Sequence, residues 1–126
     1  MNTTILVMDD DECVRELFYL HLSNAGYEVL LAEDAIVAGN HLLEHSVDLL
    51  LADIEMPFMD GLDLVAAIRN DPRCALLPVV FLTSHGEHEE RAKELGAVAY
   101  MRKPVRKEQL LALVAEHAGQ RRVLTA

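Results

Sequence analysis

Three consecutive carboxylates, Asp9, Asp10 and Asp11, follow the apolar residues 5–8. Like charges this close resist joint ionisation unless a cation neutralises them, so the cluster suits a metal ion or phosphate chemistry. A turn in which Asp11 caps the next helix explains the same residues, because aspartate is a favoured N-cap residue. The cluster alone leaves both interpretations open.

Asp53, Thr83 and Lys103 each stand behind a different apolar run. In open α/β sheets, ligands bind beyond the carboxyl ends of the strands. If these runs are strands, acids, a hydroxyl and an ammonium group meet at one edge of the sheet. The sequence therefore predicts one site to which several strands contribute.

A magnesium ion and a phosphoryl group suit these side chains. Mg²⁺ prefers oxygen ligands and keeps several waters, so Asp10 and Asp53 with a backbone carbonyl would hold it, with Asp9 helping through a water. A carboxylate beside Mg²⁺ can attack a phosphoryl group and form an acyl phosphate, while Lys103 and Thr83 bind its oxygens. We predict Asp53 as the nucleophile, because it stands alone at a strand end. Taken singly, a cap or a solvated charge explains each of these residues as well.

Five apolar runs alternate with segments of helical period, the pattern expected of βα units around a parallel sheet buried on both faces. Gly26, Gly96 and Gly119 stand where three of the helices should end. The predicted strands are residues 4–8, 28–32, 47–52, 79–82 and 99–101. The predicted helices are residues 12–25, 35–45, 62–70, 87–95 and 107–117.

The composition favours a single cytoplasmic domain. The chain has 126 residues, of which 52% are hydrophobic, enough for one substantial core. Its formal net charge of −10 argues against binding to nucleic acid or to an anionic membrane surface. We find no export signal and no apolar stretch near the roughly 20 residues that span a bilayer.

The ordered motifs resemble the response-regulator receiver domain, the phosphoacceptor half of two-component signalling. They are residues 5–11, 53–61, 82–84 and 100–104. The resemblance implies a receiver domain at residues 1–119, followed by a short tail or the start of a linker at 120–126. It also implies an α/β, flavodoxin-like, doubly wound (βα)5 fold with a five-stranded parallel sheet in the order 2-1-3-4-5.

The resemblance assigns a role to each polar residue of the site. Asp53 would be the phosphorylation site, and Thr83 and Lys103 would contact the phosphoryl group. The cofactor would be Mg²⁺. Its ligands would be Asp9, Asp10, Asp53 and the main-chain carbonyl of Glu55. The Lys103-Pro104 peptide is often cis in such domains, which would direct the ammonium group to the site.

The family also implies a conformational switch. Phosphorylation would draw the Thr83 hydroxyl inward, and Tyr100 would rotate into the vacated space. The chain departs from the family pattern at Ser84, where a smaller residue usually follows the threonine, and Glu55 and His85 flank the approach to the nucleophile. We predict that these residues set the lifetime of the phosphoryl group.

The expected partners follow from the same resemblance. A sensor histidine kinase or a histidine phosphotransfer protein would supply the phosphoryl group, docking near Val14, Leu17 and Phe18 of the first helix. A downstream output protein or domain would read the switch, and a dimer formed on phosphorylation is compatible with it. The chain would be a signalling domain that phosphorylates and dephosphorylates itself, not a turnover enzyme. It could stand alone or be a module of a longer transcription regulator or hybrid kinase.

Two other classes fit parts of the sequence. Haloacid-dehalogenase-type phosphatases also combine an early aspartate cluster with a later threonine and lysine, but they need a further acidic pair, and residues 104–126 contain no aspartate. The run from His41 through Glu44 to His45 matches the H-x-x-E-H zinc pattern. It has no convincing third ligand, and a solvated helix face explains it equally well.

Overall fold

The computed structural model describes residues 2–118, which form five parallel strands and five helices in alternation. The strands are β1 (Thr4–Met8), β2 (Glu28–Ala32), β3 (Leu49–Asp53), β4 (Val79–Thr83) and β5 (Ala99–Arg102). The helices are α1 (Glu12–Asn24), α2 (Ala35–Glu44), α3 (Gly61–Ile68), α4 (Glu89–Glu94) and α5 (Lys107–His117). The sheet order is β2-β1-β3-β4-β5, so the predicted α/β fold is confirmed. The predicted tail, residues 120–126, lies outside the described residues.

The central strands of the sheet are apolar on both faces, so helices can pack against each face and bury it. In β3, Leu50 and Ala52 join the cluster on one face, while Leu49 and Leu51 join the cluster on the other. Helices α2, α3 and α4 cover the first face, and α1 and α5 cover the second. All five residues of β3 are buried, and so are all five of β4. None of the helices formed by residues 2–118 is long and apolar enough to span a bilayer.

Aspartates begin three of the helices. The Asp11 carboxylate accepts the backbone N–H groups of Cys13 and Val14 at 2.8 and 3.3 Å. Asp34 and Asp60 cap α2 and α3 in the same manner. The cap interpretation is therefore confirmed for one member of the acidic run. Asp11 is the helix cap, and Asp9 and Asp10 are left for the site.

The element bounds differ from the prediction at three places that bear on the site. Strand β3 includes Asp53 and β4 includes Thr83, so both side chains are placed by strand geometry. Helix α4 begins at Glu89, two residues later than predicted. The backbone N–H of His88 donates to the Tyr100 hydroxyl at 3.3 Å, so this loop is held by the neighbouring strand instead of continuing the helix.

Gly61 begins α3 directly against the main chain of Asp53. A Cβ atom at position 61 would lie 2.3 Å from the Asp53 carbonyl oxygen, closer than any real contact. We expect Gly61→Ala to lower the free energy of unfolding by about 2–3 kcal/mol, because neither backbone can move without repacking the core. Urea denaturation measures this change.

The control is Gly39→Ala, in the middle of α2. A Cβ atom there meets nothing within 4 Å. Because alanine favours helix, this variant should be more stable than the wild type by up to about 1 kcal/mol. Equal effects of the two substitutions would contradict the close approach at Gly61.

Candidate functional site

The carboxyl ends of four strands bring the predicted site residues together. Asp9, Asp53 and Thr83 are almost completely buried, at 0%, 2% and 0% exposure. The Nζ atom of Lys103 lies 2.7 Å from Oδ2 of Asp9 and 3.3 Å from Oδ1 of Asp53. The backbone N–H of Lys103 donates to the Thr83 carbonyl at 2.8 Å, and the Lys103-Pro104 peptide is cis.

The acid cluster suits a hard divalent cation. One carboxylate oxygen each from Asp9, Asp10 and Asp53 can be chosen so that all three lie within 4.8 Å of one another. Oδ1 of Asp53 is buried and has no hydrogen-bond partner among the described residues, although the Lys103 ammonium is near it. A buried carboxylate oxygen without a hydrogen-bond donor suits a ligand that supplies positive charge. Mg²⁺ prefers oxygen ligands of this type. These residues therefore fit the predicted cofactor.

Burial is the main cause that raises the pKa of Asp53 from 3.8 to about 7, and the negative charge of Asp9 adds to it. The Lys103 ammonium opposes both effects. Burial alone would lower the pKa of Lys103, but its contacts with Asp9 and Asp53 raise it above its ordinary value. Lys103 is therefore charged at neutral pH, and the Asp53 carboxyl group titrates in the physiological range.

The raised pKa of Asp53 predicts that the stability of the folded protein depends on pH through this group. The folded state keeps this proton up to about pH 7, whereas the unfolded chain releases it near pH 4. The contribution of this group to stability is therefore fully present below about pH 4 and is lost as pH rises through this window, by about 2–4 kcal/mol. In EDTA, we expect Asp53→Asn to gain stability relative to the wild type between pH 4 and 7, as measured by urea denaturation. A difference that is constant over this range would contradict the raised pKa.

The Glu55 side chain binds the residues that end β4. The Thr83 hydroxyl donates to Oε2 of Glu55 at 2.5 Å, and the Ser84 N–H donates to Oε1 at 2.8 Å. Burial tends to raise the pKa of Glu55, but these two hydrogen bonds, with smaller contributions from His85 and His88, lower it overall. The Glu55 carboxylate is therefore ionised at neutral pH.

Tyr100 is connected to the same loop. Its hydroxyl donates to the His85 carbonyl at 3.1 Å and accepts the N–H of His88. The His85 N–H in turn donates to the Thr83 hydroxyl oxygen at 3.0 Å. A continuous chain of hydrogen bonds thus runs from Glu55 through Thr83 to Tyr100 on β5.

Sequence reasoning missed two residues that shape the site. The Nη1 atom of Arg15 donates to the Asp9 carbonyl at 2.7 Å and holds the acidic loop against α1. Gly61 fixes the distance between α3 and the main chain of Asp53. The position of Arg15, four residues after the Asp11 cap, was the available signal for the first contact.

The zinc pattern on α2 is not assembled into a metal centre in the described part of the chain. Nε2 of His41 lies 2.9 Å from the Leu31 carbonyl, so this ring is used in a main-chain contact. The rings of His41 and His45 are 5.7 Å apart, and the only acid, histidine and cysteine cluster found among residues 2–118 is that of Asp9, Asp10 and Asp53.

The fold is that of the doubly wound α/β domains, which bind their ligands beyond the carboxyl ends of the strands, and the acid cluster and Lys103 lie at that edge of the sheet. Residues 5–115 match the family model of the response regulator receiver domain. The chain belongs to this family, whose members act as phosphoacceptor switches in two-component signalling.

Known proteins support the assignment. The phosphate regulon transcriptional regulatory protein PhoB of Pseudomonas aeruginosa is 33% identical over 111 residues, covering 86% of this chain and 48% of PhoB. The response regulator Rre1 of Synechocystis is 36% identical over 114 residues, covering 88% of this chain and 49% of Rre1. The chain thus spans about half the length of these curated relatives. The crystal structure of the chemotaxis protein CheY4 of Vibrio cholerae superposes with a TM-score of 0.89 at 28% identity, covering 93% of this chain and 99% of that one.

Proposed function

We propose that Asp53 accepts a phosphoryl group from a phosphohistidine in a Mg²⁺-dependent reaction and relays it as a conformational change. The observation that carries this proposal is the position of the Asp53 carboxylate, which lies within reach of Lys103 and has one buried oxygen without a hydrogen bond. The carboxylate has two oxygens, so one can face the cation while the other forms a bond to phosphorus.

The chemistry is a transfer between two carriers. An ionised oxygen of Asp53 attacks phosphorus, the new O–P bond forms as the N–P bond breaks, and the histidine leaves as a neutral imidazole when its other nitrogen carries a proton. Lys103 neutralises the incoming oxygens, and Thr83 donates a hydrogen bond to them. The chain is itself the acceptor of the phosphoryl group, so the proposal is a signalling domain that phosphorylates and dephosphorylates itself, not a turnover enzyme.

Asp9, Asp10 and Asp53, with the main-chain carbonyl of Glu55, are the proposed ligands of Mg²⁺. The cation supplies positive charge for the acid cluster and for the phosphoryl oxygens. Its presence favours the ionised form of Asp53, which is the form that can attack. Arg15 keeps the loop that bears Asp9 and Asp10 in place through the Asp9 carbonyl.

The proposed output passes through Thr83 and Tyr100. Movement of the Thr83 hydroxyl to the phosphoryl group would break its contacts with the following loop, and the Tyr100 hydroxyl is bonded to that loop. Tyr100→Ala should leave phosphorylation of Asp53 intact but uncouple binding of the output partner. Unchanged partner binding by the phosphorylated variant would count against this role.

Glu55, Ser84 and His85 are proposed to set the lifetime of the phosphoryl group. Glu55 places a negative charge near the path of the attacking water, and His85 is exposed beside that path. A rate of dephosphorylation that does not change when Glu55 and His85 are both replaced would refute this proposal.

A sensor histidine kinase or a histidine phosphotransfer protein is the proposed donor, with α1 as its docking helix. Leu17 and Leu20 on this helix are 48% and 53% exposed. A pocket beside the site is lined by Val14, Leu17, Phe18, Ser84, Lys103, Pro104 and Val105. An apolar helix face next to Lys103 would let a partner present its phosphohistidine to the site.

The wider setting is also a proposal. We place residues 1–119 as the receiver domain of a cytoplasmic signalling protein, with residues 120–126 as a tail or linker. An output protein or output domain reads the switch, as a separate chain or as part of a longer regulator. We also propose that phosphorylation can lead to a dimer. These residues are not proposed to bind nucleic acid directly.

Incubation with acetyl phosphate tests the proposed chemistry. With Mg²⁺, the protein should incorporate up to about one phosphoryl group per chain, and EDTA should prevent it. Hydroxylamine should release the group, because acyl phosphates react with this reagent and phosphate esters of serine or threonine do not. Sustained release of phosphate from simple phosphate esters would favour a phosphatase instead.

A further inference from the structure

Glu55 uses both oxygens of its carboxylate on the end of β4. One oxygen accepts the Thr83 hydroxyl at 2.5 Å, and the other accepts the Ser84 N–H at 2.8 Å. This two-point contact joins the loop after β3 to the loop after β4. Similar pairs of donors bind the oxygens of phosphoryl groups, which are also anionic acceptors.

The Thr83 hydroxyl has only one proton to donate. The His85 carbonyl is a second acceptor at 2.8 Å, and the His85 N–H already donates to the Thr83 oxygen. An ionised carboxylate is the stronger acceptor and is also closer, so the proton is committed to Glu55. Thr83 therefore cannot donate to any other anion until this bond breaks.

A phosphoryl group on Asp53 would bring three acceptor oxygens and additional negative charge to the same end of the sheet. Burial and Asp9 are the main causes of the raised pKa of Asp53, but Glu55 contributes as well, so the two carboxyl groups are near enough to interact. We infer that the Glu55 carboxylate is an internal competitor of the phosphoryl group, holding the Thr83 hydroxyl and the Ser84 N–H in the unphosphorylated chain.

This inference rests on the proposed phosphoacceptor function and adds a resting state to it. While Glu55 holds Thr83, the loop keeps the hydrogen bonds that connect His85 to the Tyr100 hydroxyl. Phosphorylation must displace Glu55 before the loop can rearrange. Glu55 is thus a positioning residue. It stabilises the unphosphorylated arrangement of the loop and so opposes the rearrangement that phosphorylation requires.

Beryllofluoride with Mg²⁺, a mimic of the phosphoryl group, tests the competition. Titration followed by ¹⁹F NMR should give an apparent Kd about fivefold lower for Glu55→Gln than for the wild type, because a neutral amide holds the two donors less strongly. The Ser84 amide proton should also shift in the free variant. Glu55→Met, which removes both acceptor oxygens, should give an equal or larger gain.

Two controls separate competition from simple repulsion of charge. Glu87→Gln removes an exposed charge from the same loop and should change the Kd by less than about twofold. In a Thr83→Ala background, the gain from Glu55→Gln should fall by at least half, because the contested hydroxyl is gone.

A gain that is undiminished in the Thr83→Ala background, or no gain at all from Glu55→Gln and Glu55→Met, would overturn the inference while leaving the proposed function standing. Failure of the wild type to bind beryllofluoride with Mg²⁺ would overturn the proposed function, and this inference with it.

Discussion

Replacing Asp53 with asparagine is expected to lower phosphoryl incorporation from acetyl phosphate by at least about 100-fold. The amide has nearly the same shape but lacks the anionic oxygen that attacks phosphorus, so no acyl phosphate can form. Quantitative mass spectrometry of the intact protein measures the loss. Because asparagine also removes the buried acid whose pKa is raised to about 7, the variant should stay folded at neutral pH.

Asp60→Asn is the matched control for this experiment. Asp60 caps α3 by accepting the N–H of Asp63 at 2.8 Å, and asparagine is an equally good cap. This variant should therefore be labelled as well as the wild type. If Asp53→Asn were labelled at a rate near that of the wild type, another residue would be the phosphoacceptor.

Replacing Lys103 with methionine is expected to affect stability and labelling together. Its ammonium group is the cation bound to the buried carboxylates of Asp9 and Asp53, so its removal leaves negative charge uncompensated. In EDTA at pH 7, we expect the free energy of unfolding to fall by about 3 kcal/mol. The rate of labelling by acetyl phosphate should fall by at least about 100-fold, because a charge on the phosphoryl oxygens is lost as well.

Mg²⁺ separates the two effects. Saturating Mg²⁺ should restore much of the stability of Lys103→Met, since a second source of positive charge enters the acid cluster, but it should not restore labelling. Lys107→Met removes an equal charge from the exposed start of α5 and should change neither property appreciably. Wild-type labelling by a folded Lys103→Met variant would show that the ammonium group has no part in the transfer.

The fold could be predicted in detail because its strands have a simple signal. A strand buried on both faces is apolar throughout, as in residues 49–52. The positive φ angles of Gly26 and Gly96, +97° and +79°, confirm two of the predicted helix ends. The third, Gly119, lies outside the described residues.

The meeting of Asp9, Asp53 and Lys103 was also predictable, because the carboxyl ends of parallel strands share one edge of the sheet. The contacts of Glu55 and Arg15 were not. They depend on the paths of the loops after β1, β3 and β4, where neither period nor burial constrains a side chain. The hydrogen bonds of the Glu55 carboxylate to Thr83 and Ser84 become visible only in three dimensions.

Location of the phosphoryl group on the chain is the most direct test of the central claim. The protein is labelled with acetyl phosphate and Mg²⁺, reduced with borohydride to convert the acyl phosphate into homoserine, digested and sequenced by mass spectrometry. We expect homoserine at position 53, and none there when EDTA replaces Mg²⁺. Conversion at Asp9, at Asp10 or at any other acid, with Asp53 unmodified, would contradict the assignment of Asp53 as the phosphoacceptor.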